Sequence, residues 1–130
     1  MIALDTNVVV RFLTRDDAAQ AERARKLIEN NAVWLTKSVL LESEWVLRYS
    51  YGFPSERILG ALSGLLGLSN VMVEDAEQVS QALEWHASGM DFADALHLAG
   101  AGRSVAFSTF DQKLIKKARG LSVGLTVATP

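Results

Sequence analysis

The sequence predicts an α/β fold, a three-layer α/β/α domain on a central, mostly parallel sheet of about five strands. Short unbroken apolar runs recur between longer amphipathic stretches, the pattern of strands covered on both faces. With 130 residues, no internal repeat and no linker rich in Gly, Ser or Pro, the chain is expected to form a single domain over residues 1–130. Hydrophobic residues are 49% of the chain and charged residues 22%, which excludes disorder.

Each element has its own signal. Ile2-Ala3-Leu4 is the first strand, and a helix bearing Arg11 and Arg15 follows Asp5. Asp16 or Asp17 caps the next helix, whose apolar stripe is Ala21, Ala24, Leu27 and Ile28 against a charged face. Val33-Trp34-Leu35 and Val71-Met72-Val73 are strands on either side of helices from Ser38 to Tyr49 and from Pro54 to Leu66. Helices from Asp75 to Ala87 and from Asp91 to Ala101 lead to a strand at Val105-Ala106-Phe107, and a last helix runs from Asp111 to Arg119. Gly52, Gly89 and Gly120 punctuate three helix ends. From Leu121 to Val127 apolar residues alternate with Ser122, Gly124 and Thr126, as in an edge strand.

Composition removes several chemistries. The absence of cysteine excludes disulfides, thiolate metal sites and cysteine nucleophiles. The start Met1-Ile2-Ala3-Leu4 has no basic leader, and no apolar stretch approaches the roughly 20 residues of a membrane span, so a cytoplasmic protein is expected. A net charge of −2 means that any nucleic-acid partner must be held by a local basic patch.

In open parallel sheets function collects beyond the carboxyl ends of the strands. Asp5 follows the first strand, Asp111 follows the fourth, and Asp94 lies in the first turn of the helix that leads into the fourth. Each acid alone reads as a helix cap. Glu42 and Glu44 are harder to dismiss, because they lie in an apolar helix. Arg48, four residues on, is a partner for Glu44. Glu42 has only Ser38, Val39, Trp45 and Val46 as helical neighbours and is expected to face the core, where it is protonated, salt-bridged from another element, or bound to a cation. At 3.6 residues per turn the two glutamates point about 200° apart, so at most one can face a metal.

Acids from four segments meeting at one end of a sheet would repel, since two charges 4 Å apart cost about 4 kcal/mol at an effective dielectric near 20. A divalent cation relieves this. With oxygen donors and only His86 and His97 as imidazoles, the hard ions magnesium or manganese suit the set better than zinc or copper. Such ions suit phosphodiester hydrolysis, through one metal or two.

The residues Leu4-Asp5-Thr6-Asn7, Val39-Leu40-Leu41-Glu42 with Val46-Leu47, Asp91-Phe92-Ala93-Asp94-Ala95-Leu96 and Ser108-Thr109-Phe110-Asp111 occur in an order and spacing that resembles PIN domains, specifically VapC-like ribonuclease toxins of toxin-antitoxin pairs. The resemblance covers nearly the whole chain. It implies an Mg2+- or Mn2+-dependent endoribonuclease with Asp5, Glu42, Asp94 and Asp111 as catalytic and metal-binding acids, and Asp91 as an additional metal-site acid. It also implies support from Thr6, Asn7, Ser108 and Thr109, a homodimer, an RNA substrate and a cognate antitoxin protein.

Other residues have plainer readings. His97 is expected to support the site edge, and His86 reads as a helix-end core histidine. Lys113, Lys116 and Lys117 face one way on the last helix and, with Arg11, are the RNA-contact candidates, weighed against an ordinary solvated face. Trp45, Tyr49, Tyr51 and Phe53 read as core and interface rather than as base-stacking platforms. A receiver-like signalling domain would need paired acids after the first strand and a lysine at the end of the last, and has neither. A catalytically silent PIN-fold binding module is the other alternative, against which the four intact acids argue.

Overall fold

Five strands, every pairing parallel, alternate with seven helices in a computed structural model that describes residues 1–130, which bears out the α/β class. The chain divides into two units, Met1–Ala76 and Glu77–Pro130. The five strands pair as a three-stranded and a two-stranded sheet. Apolar runs count strands but carry no information on which ladders close.

The first unit contains β1 (Ile2–Ala3), α1 (Thr6–Thr14), α2 (Ala18–Asn30), β2 (Val33–Leu35), α3 (Lys37–Tyr49), α4 (Ser55–Leu66) and β3 (Val71–Val73), with sheet order β1-β2-β3. Ile2 lies opposite Val33, and Val33 opposite Val71. Val33 and Leu35 of the central strand are fully buried, as a strand paired on both edges requires. Asn70 donates its side-chain amide to the carbonyls of Ile28 and Asn31, tying the end of α2 to the turn before β3. Asp17, rather than Asp16, caps α2 by accepting from the Gln20 N–H at 3.0 Å.

One expectation in this unit is reversed. Glu42 is exposed, and Glu44 is the buried acid at 1% exposure. The Leu40, Ser43, Glu44 and Leu47 face of α3 is the buried one, while Trp45 and Tyr49 stand out at 53% and 62% exposure. Reading the aromatic residues as core rotated the helix the wrong way. Glu44 is tolerated inside because Arg48 meets it side-on, Nε to Oε1 at 3.0 Å and Nη2 to Oε2 at 3.2 Å. The guanidinium also lies 4.7 Å from the centre of the Tyr49 ring, and Tyr49 leans on Trp45.

The second unit contains α5 (Ala76–Ala87, its first residue falling at the boundary), α6 (Phe92–Gly100), β4 (Ala106–Ser108), α7 (Gln112–Leu121) and β5 (Thr126–Ala128). Ala106 pairs with Thr126 and Ser108 with Ala128. The last helix runs to Leu121, and the last strand is shorter than the Leu121 to Val127 alternation suggests. Ser122 at φ 55° and Gly124 at φ 85° interrupt the extended backbone. The alternation survives as burial, since Leu121, Val123, Leu125 and Val127 are each less exposed than the residues between them. No helix of the chain is long and apolar enough to cross a membrane.

The two glutamates of α3 separate cleanly by stability. Glu44→Gln leaves Arg48 without its carboxylate at a buried position and is expected to cost about 1–3 kcal/mol, below the full cost of a buried pair because Arg48 is partly exposed. Glu42→Gln should stay within about 0.5 kcal/mol of the parent. Urea midpoints at constant m value measure both.

Candidate active site

In the second unit three of the predicted acids line one cleft. Asp91, Asp94 and Asp111 border an open cavity of about 560 Å³ together with Gly89, Met90, Lys113, Leu114 and Lys117. Two helix starts bring them there. Asp91 is the cap of α6, accepting from the Asp94 N–H at 3.2 Å, and Asp111 caps α7, accepting from the Leu114 N–H at 3.1 Å. The hydroxyl of Thr109 accepts from the Asp111 N–H at 3.0 Å, fixing the turn between β4 and the cap. The Thr109 N–H in turn donates to the carbonyl of Ala128, the last residue of β5, so sheet pairing anchors that turn.

Asp94 sits within the first turn of α6 and is only partly exposed. Its carboxyl is held above the usual carboxylate range, first by burial and then by the charges of Asp91 and Asp111, with His97 pulling weakly the other way. No ion pair of the chain involves Asp94 or Asp111. Lys113 and Lys117, one turn apart on α7, line the same cleft; Lys113 is exposed and Lys117 half-buried. Lys117 reaches over Gly89, where an added Cβ would come within 2.9 Å of its ammonium nitrogen. Lys116 is exposed and borders a shallower hollow with Lys113, Lys117, Gly120 and Leu121. Ser108 is exposed at the end of β4.

In the first unit Asp5 follows β1 as the cap of α1, exposed, with Oδ1 accepting from the Thr6 N–H at 2.7 Å. Thr6 therefore meets Asp5 through its backbone, and its side chain is buried. Glu42 is exposed on α3. Asn7 opens onto a groove of about 550 Å³ between α1 and α2 that also contains Val8, Arg11, Arg23 and Leu27. Arg11 is committed elsewhere: it donates to Asp16 at 3.2 Å, to Gln20 at 2.7 Å and to the Tyr51 hydroxyl at 3.0 Å. Tyr51 donates to Asp16 at 2.5 Å, completing a surface network that occupies the Arg11 guanidinium.

The donor set is oxygen-only, of the kind a hard divalent ion prefers, and the charges of Asp91 and Asp111, which add to burial in raising Asp94, are a repulsion that such an ion would relieve. Nowhere in the chain do three carboxylate or imidazole groups lie closely enough together to hold an ion. Sequence reasoning treated Gly89 only as a helix stop and passed over Met90. The pattern Gly-Met-Asp ahead of the helix was the available signal, because a left-handed glycine two residues before a cap lets two helices meet in a tight corner.

A carboxyl whose pKa is raised on folding contributes stability that is complete at low pH and lost as pH rises through the folded-state value. At pH 7 an ionised Asp94 therefore opposes folding. Asp94→Asn is expected to raise the melting temperature of the metal-free protein at pH 7 by about 1–4 °C and to leave it nearly unchanged at pH 3, read by circular dichroism.

The Mycobacterium tuberculosis toxin VapC20, which cleaves the sarcin-ricin loop, has a solved structure that matches at 22% identity over 100% of both chains with a TM-score of 0.46. No curated protein matches the chain. The family model described as PIN domain matches residues 2–120, across both units, and the chain therefore belongs to the PIN domain family.

Proposed function

We propose that this PIN domain is a metal-dependent endoribonuclease, the toxin of a toxin-antitoxin pair, with Asp5, Glu42, Asp94 and Asp111 as its catalytic acids and Asp91 beside them. The observation that carries the reading is the cleft that Asp91, Asp94 and Asp111 line together, with no ion pair to Asp94 or Asp111, inside the span that matches the PIN domain. The match over 2–120 supports treating both units as one functional domain. A bound Mg2+ or Mn2+ supplies a lowered water pKa and charge neutralisation at a phosphoryl oxygen.

The chain's own residues have separable tasks. Asp94 and Asp111 hold negative charge at fixed positions, because one lies within the first turn of α6 and the other is the cap of α7. Thr109 keeps Asp111 from swinging by binding its N–H. Lys113 and Lys117 are the cations of the same cleft and would take a backbone phosphate of RNA, a contact that should weaken with salt. Lys116 is a more peripheral contact, and Arg11 serves RNA only by leaving Asp16. Thr6, Asn7 and Ser108 support the acids from adjoining positions. An antitoxin is expected to place a basic side chain among the carboxylates, and the exposed Trp45 and Tyr49 suit a homodimer interface.

Cleavage of a susceptible RNA with magnesium, with and without chelator, tests the activity. Asp94→Asn and Glu42→Gln are each expected to lower the rate about a hundred-fold or more, several kcal/mol of lost barrier reduction. Glu44→Gln, if folded, should keep most of it. An Asp94→Asn protein as active as the parent would exclude the mechanism. An active Glu42→Gln beside a folded, inactive Glu44→Gln would reverse the assignment on α3.

A further inference from the structure

We infer that His86 is a positioning residue for the acidic cleft, holding the corner from which Asp91 and Asp94 are presented; the inference rests on the proposed metal site. His86 is in the last turn of α5, and its Nδ1 lies 2.7 Å from the Met90 carbonyl oxygen. A carbonyl only accepts, so Nδ1 carries the proton and donates. The other ring nitrogen, Nε2, is buried with no partner, and the ring stands edge-on to the fully buried Phe92 at 5.5 Å between centres. The imidazole thus spends its one hydrogen-bond donor on Met90, at the cost of a lone pair shut away from water.

Met90 is the point where that investment matters. Its N–H donates to the Trp85 carbonyl at 3.1 Å and the Gly89 N–H to the His86 carbonyl at 2.9 Å, the two bonds of a Schellman helix end, with Gly89 at φ 105°. The His86 ring then takes the Met90 carbonyl, so both peptide groups of Met90 are fastened to the last turn of α5. The Met90 side chain is itself 2% exposed. The next residue is Asp91, whose carboxylate caps α6 and whose charge bears on Asp94. Without the ring donor the Met90 carbonyl loses its bond to the end of α5, and the start of α6 can turn relative to it. A core histidine that only filled space would not need its Nδ1 proton on this carbonyl.

Asn and Leu at position 86 are near in shape and differ in an N–H close to the Nδ1 position, so the two variants isolate the donor. Mn2+ affinity is measured by titration calorimetry on the full chain, with melting temperature recorded alongside. His86→Leu is expected to weaken Mn2+ binding about tenfold to a hundred-fold, the usual effect of removing a residue that orients a metal ligand, and His86→Asn to recover most of it at a similar melting temperature. Equal Mn2+ affinity in the parent, His86→Leu and His86→Asn overturns the inference, as does equal loss in both variants. If His86→Leu does not fold, His86→Phe refills the ring space without the donor and takes its place. If the parent itself binds no Mn2+, the metal reading fails, and the corner is judged from amide hydrogen exchange at residues 89–94. Faster exchange with Leu that Asn restores supports the positioning role, and unchanged exchange with Leu overturns it.

Discussion

Helix capping by aspartate is the constraint on which the site depends. Asp5, Asp91 and Asp111 each begin a helix, and each accepts a backbone N–H on Oδ1. A bare carboxylate on a loop would sample many rotamers; one bound to the first turn of a helix does not. Because an ionised carboxylate offers about four acceptor positions, a single capping bond leaves it able to bind a cation as well. The ordinary reading of these acids as caps and the functional reading as ligands are therefore compatible. Capping supplies the rigidity that ligation would need, and the positive helix end offsets part of the charge.

That rigidity has an energetic consequence for Asp94. It lies inside the helix rather than at its cap, and burial, then the charges of the two capping acids near it, raise its carboxyl pKa. A fold selected for stability alone would place an amide or an alcohol there, with the same shape and no repulsion. Retaining the acid is the kind of local conflict expected where function overrides stability. The Glu44 and Arg48 pair shows the contrast: a carboxylate buried even more deeply is matched by a guanidinium in side-on geometry and reads as structure.

The α/β class, the strand count and the helix positions were legible because they are written in local periodicity, which the chain obeys from Ile2 to Arg119. The acids of the cleft were legible for a related reason: each follows a strand or opens a helix, and both signals are local. Two features were not. The facing of α3 depends on which of two opposed stripes finds a partner, and Trp45 and Tyr49 made the exposed stripe look apolar while Arg48 hid the burial of Glu44. The division into a three-stranded and a two-stranded sheet depends on backbone pairing between distant segments, on which side-chain patterning is silent. The late start of β5 could have been suspected from Gly124, since a glycine within an alternating run marks a bend as often as a strand.

The cleft also shows how a chain of net charge −2 could meet a polyanion at all. Asp91, Asp94 and Asp111 face Lys113 and Lys117, so ionised side chains alone leave the cleft negative and a phosphate would be repelled from it. The starts of α6 and α7 contribute partial positive charge at the same place, about half a unit each before screening, which brings the balance near zero without making it attractive. Under the proposed function a divalent cation would then be the deciding charge. Bound among the acids it would turn the cleft positive and let the lysines act on the phosphate with the field rather than against it. Under the proposed function, metal binding and RNA binding are therefore coupled through charge, and basic character need not appear in the composition because the metal supplies the excess.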